Sequence, residues 1–208
     1  IYESIKNLPI VSPHGHVDPQ IFVDNKPFPN PTQLFLIPDH YIYRMLYSQG
    51  IKLEQLGIPT IDGTKVETDP KKIWQLFADN YHLFVGTPSG NWLSYEFGKI
   101  FGIEEKPNSI NAQSIYDKLQ EKLNTREFLP RNLFEKFNIE VLSTTDAASD
   151  SLNQHKKIKA SVWNKRVIPC FRPDAVTDLS TRNWKQNLSA LEKSVGYEIT
   201  NFKNLIQA

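Results

Sequence analysis

Ile139-Glu140-Val141-Leu142-Ser143-Thr144-Thr145-Asp146, followed one helix-length later by Arg166-Val167-Ile168-Pro169-Cys170-Phe171-Arg172-Pro173-Asp174, is the stretch whose reading decides the fold. Each run is rich in β-branched and apolar residues and ends in hydroxyls or charges, as expected of a buried strand with a polar carboxyl end. Between them Ser149 or Asp150 is placed to cap a helix in which Leu152 and Ile158 face inward and Lys156, Lys157 and Lys159 face water. His155 on that helix reads most simply as a surface residue. After the second run, Trp184, Leu188, Leu191 and Val195 recur at helical spacing from about Thr181, and Gly196 is placed to stop that helix. Strand, helix, strand, helix at this spacing predicts right-handed βαβ units and a parallel sheet.

Upstream of this unit the chain is mostly helical. Asp39 is placed to cap a short helix through Ile42, Met45 and Leu46 to Gly50, which puts His40, Tyr41 and Arg44 near its first turn. Asp69-Pro70 is an N-cap with proline at the first helical position, and Ile73, Leu76, Phe77, Tyr81 and Phe84 follow at helical spacing. Further helices are expected over about Trp92 to Phe101, over Asn111 to Asn124 and from near Pro130, with their aromatic stripes taken as core and His82 as a packed or capping histidine. The proline-broken passage from Asp18 to Pro31 reads as a surface excursion without a regular element.

At the chain's start, Pro9-Ile10-Val11-Ser12-Pro13-His14-Gly15-His16-Val17-Asp18-Pro19 is a short apolar run that closes on two histidines. Residues i and i+2 of a strand share a face, so His14 and His16 can aim both imidazoles at one point where the strand runs out. That is a chelating arrangement, and two histidines in a polar loop is its plain alternative. Three strands then end in groups suited to chemistry: His14 and His16; Thr144, Thr145 and Asp146; Arg172 and Asp174. In parallel α/β folds the active site lies at the carboxyl ends of the strands, so the three clusters should converge.

Composition removes several function classes. Twenty-four basic and 23 acidic residues give a net charge of +1 with no basic block, against a nucleic-acid partner and for a small molecule. The single Cys170 excludes an intramolecular disulfide, and no apolar run approaches the length of a membrane span, so the expected location is the cytoplasm. Gly-x-Gly-x-x-Gly, a Walker loop and Gly-x-Ser-x-Gly are all absent, which leaves dinucleotide, phosphoryl-transfer and serine-hydrolase readings without their motifs.

Taken as an ordered set, Ser12 to Pro19, Asp39-His40-Tyr41, Thr144-Thr145-Asp146 with Asp150-Ser151-Leu152 and His155, and Phe171-Arg172-Pro173-Asp174 resemble the uronate (glucuronate) isomerase family of the amidohydrolase superfamily. The resemblance implies a metal-binding (β/α)8 TIM-type barrel, of which this chain would supply the first three strands: strand 1 over 9–17, a mostly helical insertion over 30–138, and strand 2, helix, strand 3, helix over 139–208. It implies an aldose to ketose isomerisation, glucuronate to fructuronate and galacturonate to tagaturonate, on a small sugar acid, with a homo-oligomer left open. Carried over by residue, His14 and His16 match ligands of a divalent metal, zinc first. His40 and Tyr41 match polar residues at the substrate site, with Asp146 a candidate for proton handling; Arg172, with Asp174 beside it, matches a contact to the sugar acid. The base itself is not identified by these residues. The family pattern continues with a further histidine, a Trp-Trp pair and a metal-binding aspartate that are absent here, so the chain is expected to be an N-terminal part and inactive alone. A metal-dependent hydrolase of the same superfamily and a non-catalytic fragment are the alternatives.

Overall fold

β2, Ile139–Ala147, is the middle strand of a three-stranded sheet and pairs in parallel with β1, Ile10–Ser12, on one side and β3, Arg166–Arg172, on the other. This computed structural model describes residues 1–208. Val141, Leu142, Ser143 and Thr144 are all buried, which is why the run lacks the polar alternation of a one-sided strand. The mixed α/β class and the parallel pairing agree with the expectation from sequence, and the sheet has three strands rather than a closed barrel. β1 is shorter than the 9–17 expected: Pro9 and Pro13 bracket it, and proline cannot donate to a ladder.

The chain divides into two compact units, one of Ile1–Asn25 with Leu133–Ala208 and one of Lys26–Asn132. In the first, Leu142 of β2 and Val167 of β3 sit opposite each other in register and pack with Phe22, Phe134 and Ile158. Phe22 stacks on Trp163 at 5.3 Å, and Phe134 meets the same indole edge-on at 5.1 Å. Phe22 belongs to a helix, Gln20–Asp24, inside the passage expected to be irregular; Asp18 Oδ1 accepts from Gln20 N at 2.8 Å, and Asn25 ends the helix at φ 48°. Five residues carry too little periodicity to be seen in sequence. The helix after β2 is Asn153–Ala160 and the long one after β3 is Trp184–Val195, ended by Gly196 at φ 80°, where the left-handed conformation suits glycine. Val176, Leu191 and Ile199 form a second small core beside it. Tying this region together, Trp184 Nε1 donates to Val176 O at 2.7 Å and Glu192 Oε1 accepts from Ile199 N at 2.8 Å.

The second unit is helical, and its starts follow the capping signals. Asp39 accepts from Tyr41 N ahead of His40–Ser48, and Asp69 accepts from Lys71 N and Lys72 N ahead of Pro70–Asp79. Thr87 accepts from Gly90 N ahead of Pro88–Tyr95. Trp74, Phe77, Phe84, Phe97, Ile115, Leu119 and Leu123 form its core at 0–2% exposure, and the buried Trp74 Nε1 donates to Ala112 O at 2.9 Å. Three expectations fail here. The helix from Pro70 breaks at Asn80, where the Asn80 side chain bonds back to Leu76 O, so Tyr81–Phe84 is a separate 3₁₀ turn and His82 lies exposed instead of packed. The expected Trp92–Phe101 helix is an α segment, Pro88–Tyr95, that widens into a π segment, Glu96–Ile100. In that helix Trp92 and Tyr95 are 55% and 61% exposed and are not core. No helix is long and apolar enough to cross a membrane.

Candidate active site at the carboxyl edge of the sheet

Because β1, β2 and β3 run parallel side by side, their carboxyl ends fall on one edge, and the residues just beyond them stand along it. His14 and His16 follow β1 after Pro13 stops the ladder. Their Nε2 atoms lie 3.0 Å apart, with the rings edge to face at 4.9 Å, and both side chains are exposed. Gly15 lets this loop lie close against β2: a Cβ there would sit 3.1 Å from Ser143 O, so a larger residue would need loop or strand to give by a few tenths of an ångström.

The donor set fits a divalent ion. Two imidazole nitrogens each about 2.0–2.1 Å from a shared ion would stand roughly 2.9–3.4 Å apart, and 3.0 Å falls in that range. No group of three or more His, Cys, Asp or Glu residues is arranged to hold a metal; His14 and His16 would offer an ion two ligands.

His16, Asp18, Thr145, Asp146, Asp150 and Gln154 line a cavity of about 290 Å³ at this edge, which brings the end of β2 and the histidine loop into one space. Asp146 is nearly buried. Its Oδ2 accepts from Thr144 Oγ1 at 2.7 Å, and Thr144 Oγ1 lies 2.8 Å from His155 Nε2. His155 is thus 8% exposed and is not the surface residue expected from the lysines around it. The signal was present: His155 is three residues before the buried Ile158, so the two share the inward face of one helix.

Arg172, the last residue of β3, extends from the same edge and is exposed. Its Nε donates to Asp174 Oδ2 at 3.1 Å, and that guanidinium holds the Asp174 carboxyl below its ordinary range. The two terminal nitrogens of Arg172 make no bond within the chain. These form the planar fork that matches a carboxylate.

In the second unit, His40 and Tyr41 occupy the first turn of their helix, ring on ring at 4.2 Å, with Tyr41 edge-on to the exposed Trp92 at 6.3 Å. Glu96, at the start of the π segment, belongs to no sequence motif. Burial, then the neighbouring Asp39 carboxylate, pushes its carboxyl up to about 7. No periodic or motif signal marks a residue that is unusual because of what packs over it.

The sequence profile of the family described as glucuronate isomerase matches residues 1–208. The uronate isomerase of Nostoc punctiforme is 51% identical over 208 residues and that of Rhizobium meliloti 46% identical over 208 residues; each alignment takes in 100% of this chain and 44% of the relative. The crystal structure of glucuronate isomerase from Caulobacter crescentus superposes with a TM-score of 0.94 at 41% identity, covering 99% of this chain and 43% of that one. The uronate isomerase structure from Thermotoga maritima gives 0.83 at 27% identity, covering 94% of this chain and 41% of that one. The chain therefore spans under half the length of these relatives. A profile match over every residue, with two folds this close, places the chain in a family: it belongs to the glucuronate isomerases.

Proposed function

We propose that this chain is the N-terminal part of a cytoplasmic uronate isomerase that interconverts D-glucuronate with D-fructuronate, and D-galacturonate with D-tagaturonate, on a (β/α)8 barrel whose first three strands it supplies. The observation that carries this reading is that His16 and Asp146 line one cavity at the carboxyl edge of a parallel sheet, an edge on which His14 and Arg172 also stand.

Isomerising an open-chain uronate moves a proton from C2 to C1, which requires a group to take and return it, stabilisation of the enediolate formed between, and a cation for the acid group. Arg172 answers the last need, since the substrate carboxylate can engage the terminal nitrogens that Asp174 leaves unused. Asp146, held on one oxygen by Thr144, is positioned to accept from substrate hydroxyls or to handle the proton. His40 and Tyr41, which match polar residues at the family's substrate site, would supply further donors; the Asp39 cap holds the backbone of their helical turn. A divalent ion held by His14 and His16, zinc first, would supply Lewis acidity toward the sugar's carbonyl and hydroxyl oxygens.

The test is ketose formation from D-glucuronate and D-galacturonate by the full-length protein, set beside hydrolysis of a sugar lactone or amide. Ketose without hydrolysis supports the isomerase; hydrolysis without ketose would assign the same histidines to a hydrolase of the superfamily.

A further inference from the structure

Thr144, on the buried face of β2, sits between an acid and a base. Its Oγ1 is 2.7 Å from Asp146 Oδ2, 2.8 Å from His155 Nε2 and 3.3 Å from Ile168 O. A hydroxyl has one proton to give and two lone pairs to offer. The Asp146 carboxylate only accepts, and it is the shortest of the three contacts, so the Thr144 proton goes to Asp146. His155 Nε2 must then donate to Thr144. In the neutral ring this is the Nε2–H tautomer, with Nδ1, which is buried without any partner, left as a bare lone pair. Hydrogen bonds aligned head to tail in this way reinforce one another.

We propose that His155 is a positioning residue for Asp146: the one-way chain from His155 Nε2–H through Thr144 Oγ1–H to Asp146 Oδ2 pins the carboxylate, reserving its Oδ1 for a substrate group in the cavity that Asp146 lines with His16 and Thr145. Oδ1 has no hydrogen bond within the chain and lies 3.9 Å from His155 Nε2, too far for one. The proposal deepens the isomerase reading and rests on it. The arrangement is held against local cost, which an incidental core histidine would not need. Nδ1 is orphaned, and the helix that carries His155 starts only after Leu152 takes a left-handed φ of 53°, a conformation leucine avoids. Asp150 Oδ1, another cavity residue, fixes that start by accepting from Leu152 N at 2.7 Å. Loop, helix and cavity wall are therefore built together, and His155 is what the loop delivers.

The first arm needs no variant and no activity. Nitrogen-15 NMR of the imidazoles in the wild-type chain should show the proton of His155 on Nε2; an Nδ1–H tautomer would reverse the bonds and overturn the proposal. The second arm uses the full-length protein. His155→Leu and Thr144→Val should each lower kcat roughly 10- to 100-fold, the scale on which outer partners of site ligands act, with KM little changed. His155→Gln, which can present an N–H at similar reach, should recover most of the loss. Wild-type kcat in both Leu and Val variants, or a loss that Gln does not relieve, would overturn it. Should the Leu and Val variants fail to fold, the Gln variant and the tautomer measurement still decide. A wild-type protein that isomerises no uronate would fail the functional reading instead, and the tautomer would stand or fall separately.

Discussion

Replacing Glu96 by Gln should change how stability depends on pH, and the size of the change follows from where Glu96 sits. Its carboxyl is buried beside Asp39 at the start of the π segment, and its pKa is raised from 4.5 to about 7. The folded state therefore holds the proton more tightly than the unfolded chain. Between pH 4.5 and about 7 the folded state binds more protons, so its stability falls as pH rises through that window and the loss is complete above it. A difference of this size corresponds to about 3 kcal/mol. Glutamine keeps the shape of the protonated acid and cannot ionise. The variant should thus match wild type near the low end of the window and exceed it by about 3 kcal/mol above the high end, roughly 6–12 °C in Tm for a chain of this size. Asp39→Asn should flatten the wild-type slope only in part, because burial is the larger cause and asparagine still caps the helix. The assay is urea unfolding of wild type and both variants across that pH range, each curve compared with wild type at the same pH so that other titrations cancel. Parallel curves for wild type and Glu96→Gln would refute the reasoning.

Gly90→Ala should destabilise the second unit by about 1–3 kcal/mol or more, because the new Cβ would fall 1.9 Å from Phe84 O, which is fixed by bonds from Thr87; an unchanged melting temperature would contradict this. Arg172→Lys should leave thermal stability unchanged, since its pairing with Asp174 is exposed, while kcat/KM for uronates in the full-length protein falls roughly 10- to 100-fold with loss of the bidentate charged hydrogen bonds. His14→Ala should lower divalent metal content after mild dialysis of the full-length protein, and equal content in the two proteins would remove His14 from the ligand set.

Much of the fold was legible because its decisive signals are local. The apolar run of β2, the Asp39 and Asp69 caps and the glycine at 196 each act within a few residues, and each appears where the sequence places it. What sequence missed depends on packing between distant residues. Trp92 and Tyr95 have the spacing of a core stripe and lie exposed, because spacing tells which residues share a face and not what covers it. The helix Gln20–Asp24 is recognisable only once Phe22 is seen against Phe134 and Trp163. At the site, His14, His16, Asp146 and Arg172 could be read as strand-end residues. Thr144 offers sequence only its hydroxyl, and His155 stands among lysines although its spacing from Ile158 points inward.

The most direct test of the central claim follows the proton itself. Full-length protein is incubated with D-glucuronate deuterated at C2, and NMR monitors label at C2 of the aldose and C1 of the ketose. The account predicts that deuterium leaves C2 as D-fructuronate forms, appearing at C1 or exchanging with solvent, and that Arg172→Lys slows the process without abolishing folding. Glucuronate that keeps its C2 deuterium while the protein is folded and metal is bound would contradict the claim that this sheet edge performs proton transfer on a uronate.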